Sequence, residues 1–274
     1  MRSVLRYCAL LVLAAVPGRA LGQLTTYDTF NNAKHLLNAE KWGGFETNVR
    51  DLEASRLIDA GKLRLLYRGY GGTSSDSGIT VSSFGLFFPN DPNTIAAIQA
   101  EVQVVDVQAQ DCPGNIARTA GSEARVDLRG SFFNSGVAPV DQTNDVHAEI
   151  VITRQSTDPA NILQVVGEMF QCTSPTCSTI GSFVQKSLGS ITCPGRICPT
   201  ETLLIQWEQT NHLFRFRRTD ALGPVEDTIP YGFSDTSSPS FGFKTIDIFH
   251  IVENCTAGRK NAFMEALIDN VQTD

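Results

Sequence analysis

Residues 203–218 read LLIQWEQTNHLFRFRR. Leu203, Ile205 and Trp207 fall on one side of an extended segment, because successive side chains of a strand point to opposite faces. Gln209-Thr210-Asn211 then turns the chain. Phe214 and Phe216 return on the apolar side, with Arg215 and Arg217 on the other. The stretch predicts a β-hairpin with one buried face.

The same alternation recurs on both sides of it. Arg56–Ile58 and Leu63–Tyr70 flank Asp59-Ala60-Gly61-Lys62, a second hairpin signal, with Leu63, Leu65 and Tyr67 on one face and Arg64 and Arg68 on the other. Val81–Phe88 and Ile95–Val107 are separated by Pro89-Asn90-Asp91-Pro92, a firm break. Val146–Arg154, Ile162–Phe170, Phe241–Val252 and Phe263–Val271 continue the series. The best helix candidate is the short Asn32–Leu37, capped by Asn31 or Asn32. Many strands with turn signals between them predict an all-β, two-sheet antiparallel sandwich. Phe makes up most of the aromatic content, which suits a sandwich core, and Trp42 and Trp207 are expected there.

The chain opens with Arg2 and Arg6, an uncharged stretch from Tyr7 to Val16, Pro17, and the small-residue end Ala20-Leu21-Gly22. This order is that of a cleavable secretion signal over 1–22, and the apolar run is too short for a membrane span. A secreted or periplasmic protein is expected, with no membrane insertion after cleavage and a single domain over 23–274. Cleavage removes Arg2, Arg6 and Arg19 and no acid, so the formal charge moves from −7 to −10. An acidic chain without a basic stripe is a poor partner for nucleic acid.

Six cysteines remain beyond the signal: Cys112, Cys172, Cys177, Cys193, Cys198 and Cys255. An even number in an exported chain predicts disulfides. Cys172/Cys177 and Cys193/Cys198 each flank a Pro-containing turn, so local closure would leave Cys112 with Cys255. The rival arrangement staples the 172–177 segment to the 193–198 segment. A zinc site is the functional alternative, although the spacing is wide and no His accompanies it.

Three segments resemble a known superfamily. YDTFNNAKHLLNAEKWGG (27–44) is similar to the opening strand of concanavalin A-like lectin/glucanase domains of bacterial secreted proteins. AFMEALIDNVQ (262–272) resembles their closing strand, and the 203–218 hairpin resembles a Leu-x-Ile-x-Trp strand with its return. The resemblance implies a jelly roll of about a dozen strands whose concave face commonly binds saccharide. It also implies a structural Ca²⁺ held partly by a last-strand Asp that Asp269 matches. Asp269 and Asp28 each put a carboxylate on an otherwise apolar strand face, where a cation or several donors must stabilise it.

Hydrolases of that superfamily carry E-x-D-x-E on one strand, and no such spacing occurs here. The nearest acidic strings are Glu123…Asp127, Asp145…Glu149 and Asp247…Glu253, expected as solvated acids on an acidic surface. No G-x-S-x-G, H-E-x-x-H or phosphate loop is present. His147 and His250 are expected as structural strand residues. For a ligand, Tyr67, Arg68 and Tyr70 beside the Gly71–Gly78 loop with Asp76 offer an aromatic platform and polar groups, and Tyr231 with Asp235 offers a second. The preferred reading is an exported, non-catalytic domain that binds polysaccharide or another extracellular ligand. A glycoside hydrolase or polysaccharide lyase with an unrecognised carboxylate pair is the first alternative, and a structural or adhesive envelope protein the second.

Overall fold

The 203–218 stretch is a hairpin in the computed structural model, which describes residues 23–32, 36–48, 53–90, 92–136 and 139–274. The signal segment 1–22 and residues 33–35 of the expected helix lie outside the described residues. The strands, in chain order, are β1 (Thr25–Asp28), β2 (Gly43–Thr47), β3 (Glu53–Asp59), β4 (Lys62–Tyr70) and β5 (Ile79–Phe87). There follow β6 (Ala97–Ala109), β7 (Glu123–Asn134), β8 (Asp145–Gln155), β9 (Ile162–Cys172) and β10 (Ile180–Thr192). The last five are β11 (Thr200–Glu208), β12 (Leu213–Asp220), β13 (Gly223–Pro230), β14 (Lys244–Glu253) and β15 (Asn261–Thr273).

They form two antiparallel sheets packed face to face. The eight-stranded sheet runs β13-β12-β11-β6-β15-β4-β3, with β1 added along β15. The seven-stranded sheet runs β10-β9-β8-β7-β14-β5-β2. The architecture is the expected two-sheet sandwich, with more strands than a dozen.

Alternation places the core. Leu203, Ile205, Phe214 and Phe216 from the hairpin are fully buried, as are Leu63, Leu65 and Tyr67 from β4. Ala124, Val126 and Leu128 of β7 meet them from the other sheet, with Ile246 and Ile248 of β14. Each large apolar side chain removed from water stabilises the fold by about 1.5–3 kcal/mol. The β3–β4 turn has Ala60 at φ 48° and Gly61 at φ 77°, the pair of positive values that a two-residue primed turn demands.

Trp42 is buried among Phe30, Phe88 and Tyr27, and Trp207 packs half-buried on Phe133 with ring centroids 5.3 Å apart. All six cysteines are paired: Cys112–Cys255, Cys172–Cys177 and Cys193–Cys198. Both local closures therefore form, and the cross-stapled alternative does not. With all six of these thiols oxidised, the zinc alternative has no thiolate to use among the described residues.

Candidate functional site

The seven-stranded sheet turns its second face outward, and that face is not the solvated surface expected of it. On β7, Glu123, Arg125, Asp127 and Arg129 alternate with the core residues and so share the outer face. Register brings Glu149 of β8 opposite Arg129, and Glu168 of β9 opposite Glu149. Asp247 of β14 lies opposite Asp127 on the other side. These acidic residues are 0–7% exposed. Burying charge costs several kcal/mol per ion unless partners compensate, so a sheet face that does it at five positions calls for a purpose.

Arg125 is the hub. Its guanidinium lies 3.1 Å from Asp127, 3.1 Å from Glu149, 3.6 Å from Glu168 and 4.0 Å from Glu123. It also stacks 4.3 Å above the Phe249 ring. Arg129 forks onto Asp247 through bonds of 2.9 and 2.8 Å, and Arg118 donates to Glu123 at 2.6 Å. Gly85 of β5 makes room beside Asp247, because a Cβ there would sit 2.3 Å from the Asp247 Cβ.

The carboxyls divide by environment. Burial pushes Glu168 up to about 8, helped by its hydrogen bond and charge contact with Glu149 and opposed by Arg125. Burial also raises Glu149, but Arg125 and the bond from Glu168 outweigh it and hold Glu149 below its usual value. The two therefore share one proton at neutral pH, Glu168 donating and Glu149 accepting. Burial carries Asp127 well above the carboxylate range despite Arg125. His147 is pushed down to about 4 by burial, so it is neutral, and its Nε2 lies 3.4 Å from Cys172 Sγ.

Above these groups lies a groove of about 780 Å³, bounded by the Cys172–Cys177 turn, by β10 and by the segment before β14. Phe183 and Phe241 on its walls are half exposed, at 50% and 56%. Phe170, Phe243 and Phe249 line it lower down. Asp145, fully buried, holds the Phe241 wall in place by accepting bonds from Ser240 N and Oγ and from Phe241 N, and one from Asn134. An apolar recess of about 530 Å³ opens from the same groove past Phe45 and Phe87, sharing Arg129, Phe241 and Phe243 with it.

The expectation that the three acidic strings are solvated is thereby corrected. Glu123, Asp127, Asp145, Glu149, Asp247 and Glu253 are all buried, held by arginines, hydroxyls or backbone amides.

The residues picked as ligand-binding fall elsewhere. Tyr67 is corrected to a core residue, 1% exposed and stacked between Phe84 and His250. Arg68 points to the opposite face, bonded to Glu53 and Asn261, so the two do not converge. Tyr70 borders a separate recess of about 320 Å³ beneath the Arg259 guanidinium, 4.8 Å above its ring. Asp76 accepts from the Thr256 amide and hydroxyl, which lowers its carboxyl. Tyr231 and Asp235 do meet, at 2.6 Å, in a chain with Trp207 Nε1 and His212 Nδ1. That cluster is not part of the groove.

The calcium expectation rests on Asp28 and Asp269. Asp28 accepts from Trp42 Nε1 at 2.8 Å and from the Phe30 amide at 2.9 Å, and Asp269 accepts from the Asn270 amide. The position of Asp28 thus needs no cation to explain it. Among the described residues, the His, Cys, Asp and Glu triplets that converge are His147 with Cys172 and Cys177, and Asp76 with Cys112 and Cys255. Both contain a closed disulfide.

No protein-family model matches the chain, and no curated protein matches its sequence. Among solved structures, the chain is similar to the CBM2 module of the evolved Dit of Lactobacillus casei BL23 phage J-1. The identity is 14% and the TM-score 0.40, over 90% of this chain and 94% of that one. It is also similar to the metal-free form of lectin I-B4 from Griffonia simplicifolia, with 9% identity and a TM-score of 0.37 over 92% and 98%. A legume lectin-like domain from Entamoeba histolytica gives 9% and 0.36 over 82% and 88%. Likenesses this distant carry no argument about the groove, which stands on its own chemistry. No helix among the described residues is long and apolar enough to cross a membrane.

Proposed function

We propose that this chain is an exported jelly roll that binds a saccharide in the groove on the outer face of its seven-stranded sheet. The observation that carries the reading is the groove itself: phenylalanine walls over a floor of ordered guanidinium and carboxyl groups. Saccharides present apolar C–H faces and hydroxyl edges together, and such a site answers both. Three disulfides fit an oxidising compartment and support export. A purely structural or adhesive role would not call for this floor. Retention of the purified protein on an insoluble polysaccharide, lost when Phe241 is changed to Ala, is the expected result. Failure to bind any member of a broad polysaccharide panel would overturn the reading.

One observation favours a second reading, cleavage of the bound glycan. Glu149 and Glu168 are the facing carboxyl pair that a hydrolase needs, one protonated and one ionised. Glu168 would protonate the leaving oxygen, and Glu149 would take a proton from the attacking water. The two are in direct hydrogen bond, far closer than the about 6.5–9.5 Å of an inverting pair, so cleavage requires them to part around the scissile bond and its water. Release of reducing sugar during the binding assay, absent in Glu168→Gln, separates cleavage from binding alone.

A further inference from the structure

The groove is lined by three carboxyls, Glu123, Glu149 and Glu168, and by the guanidiniums of Arg118, Arg125 and Arg129, with Asp127 and Asp247 buried below. Each of these guanidiniums is already engaged by carboxylate, so none is held ready for an anionic ligand. Beneath them Asp127 is fully buried, and neither of its oxygens receives a hydrogen bond. With Glu168 and Asp127 protonated, the remaining carboxylates balance the guanidiniums, so no charge is left over for an anion, and the proton between Glu149 and Glu168 stands where a cation can replace it. A metal does not suit the face, because the carboxyls are strung along four strands and do not converge on one point.

Building on the saccharide reading above, we infer that the groove takes an amino-sugar saccharide, whose ammonium group settles against Glu149 and Glu168 and displaces the proton they share. The exchange balances: Glu168 gives its proton to solvent, its carboxylate pairs with the ammonium, and no covalent bond changes. Half-exposed Phe183 and Phe241 stand on the walls, where a ring face adds attraction for a cation.

The groups that face Glu168 set the pH response. From β8 it is Glu149, from β7 Glu123 and Arg125, and from β10 the amide of Gln185, which donates to Glu168 at 2.6 Å, with His147 and Arg129 elsewhere on the same groove lining. His147 is neutral well below neutrality, so it neither supplies nor repels the cation. In the free protein Glu168 holds its proton up to about pH 8. Binding of an ammonium below that pH must therefore expel it.

The test is calorimetric titration near pH 6 with three probes: a glucosamine hexamer, its fully N-acetylated counterpart and a galacturonate hexamer. Running each in two buffers of different ionisation enthalpy counts the protons released. The glucosamine hexamer is expected to bind roughly tenfold or more tightly than the acetylated one, the worth of one good ion pair. It should release close to one proton, and Glu168→Gln should abolish both the preference and the release. Equal or tighter binding of the acetylated or galacturonate hexamer, or binding of glucosamine without proton release, overturns the inference and leaves the saccharide groove standing. Binding of none of the three, together with no retention on the polysaccharide panel, overturns both. The proton count needs only the wild-type protein, so it does not depend on how the variant folds.

Discussion

Glu149 on β8 faces Glu168 on β9 directly across the strand pair, and the two carboxyls are joined through one proton. Like charges held this close cannot both ionise, and the nearer guanidinium contact of Arg125 decides which one does: 3.1 Å to Glu149 against 3.6 Å to Glu168.

That asymmetry is visible in stability. Glu168 rises from an ordinary 4.5 to about 8 on folding, so between these values the native state holds a proton that the unfolded chain has lost. The native state then binds more protons, and stability falls as pH rises through that window. Glu168→Gln keeps a donor for Glu149 and cannot titrate. The stability difference between wild type and variant, followed by urea unfolding from pH 4.5 to 8, should shift steadily against the wild type. A difference that stays flat across the window would mean that Glu168 is not protonated in the native state.

Arg125 compensates four carboxyls at once. Arg125→Met is expected to cost about 3–5 kcal/mol, the usual result of stranding buried charge. The cost should be smaller at pH 5 than at pH 8, because proton uptake by the orphaned carboxyls relieves part of it. Urea midpoints at the two pH values check both the size and the direction.

Asp145 holds the segment carrying Phe241 with three of its hydrogen bonds. Asp145→Ala leaves buried donors unpaired, and a loss of about 2–4 kcal/mol is expected. Polysaccharide retention should weaken even at temperatures where the variant remains folded. Unchanged retention would show that the Phe241 wall does not touch the ligand.

The three disulfides are unequal. Cys112–Cys255 spans 143 residues, whereas each of the others spans 5. By loop entropy the long bridge is worth about 5 kcal/mol and each short one about 2 kcal/mol. Replacing Cys112 and Cys255 together by Ser should lower the urea midpoint far more than the same change at Cys172 and Cys177. Equal effects would locate the stabilisation in the local turns.

The sandwich was legible because its signals are local. Leu203-x-Ile205-x-Trp207 and Leu63-x-Leu65-x-Tyr67 each show which face is buried within five residues. The groove was not legible for the opposite reason. Strand β7 reads Glu-Ala-Arg-Val-Asp-Leu-Arg, whose small apolar positions hardly stand out between four charges, and the charged face looks solvated by itself. Its partners Glu149, Glu168 and Asp247 arrive from three other strands, in the order β9-β8-β7-β14 that no local pattern encodes. A signal was nevertheless present: Glu123, Arg125, Asp127 and Arg129 alternate sign along one strand face. Tyr67, Arg68 and Tyr70 misled because they are neighbours in sequence, whereas adjacent strand residues point to opposite faces.

Strand β15 lies between β4 and β6 in the middle of the eight-stranded sheet, and it also carries β1, with Thr25 paired to Thr273. The fold therefore cannot close in the order in which it is synthesised. In the eight-stranded sheet, β3-β4 on one side and β6-β11-β12-β13 on the other stay apart until residues 261–273 fill the slot between them, and pairings over such separations form slowly. In a growing chain that sheet would stay divided until the segment is made. Such a delay leaves the facing edges of β4 and β6 bare, the kind of surface on which strands of two chains pair wrongly.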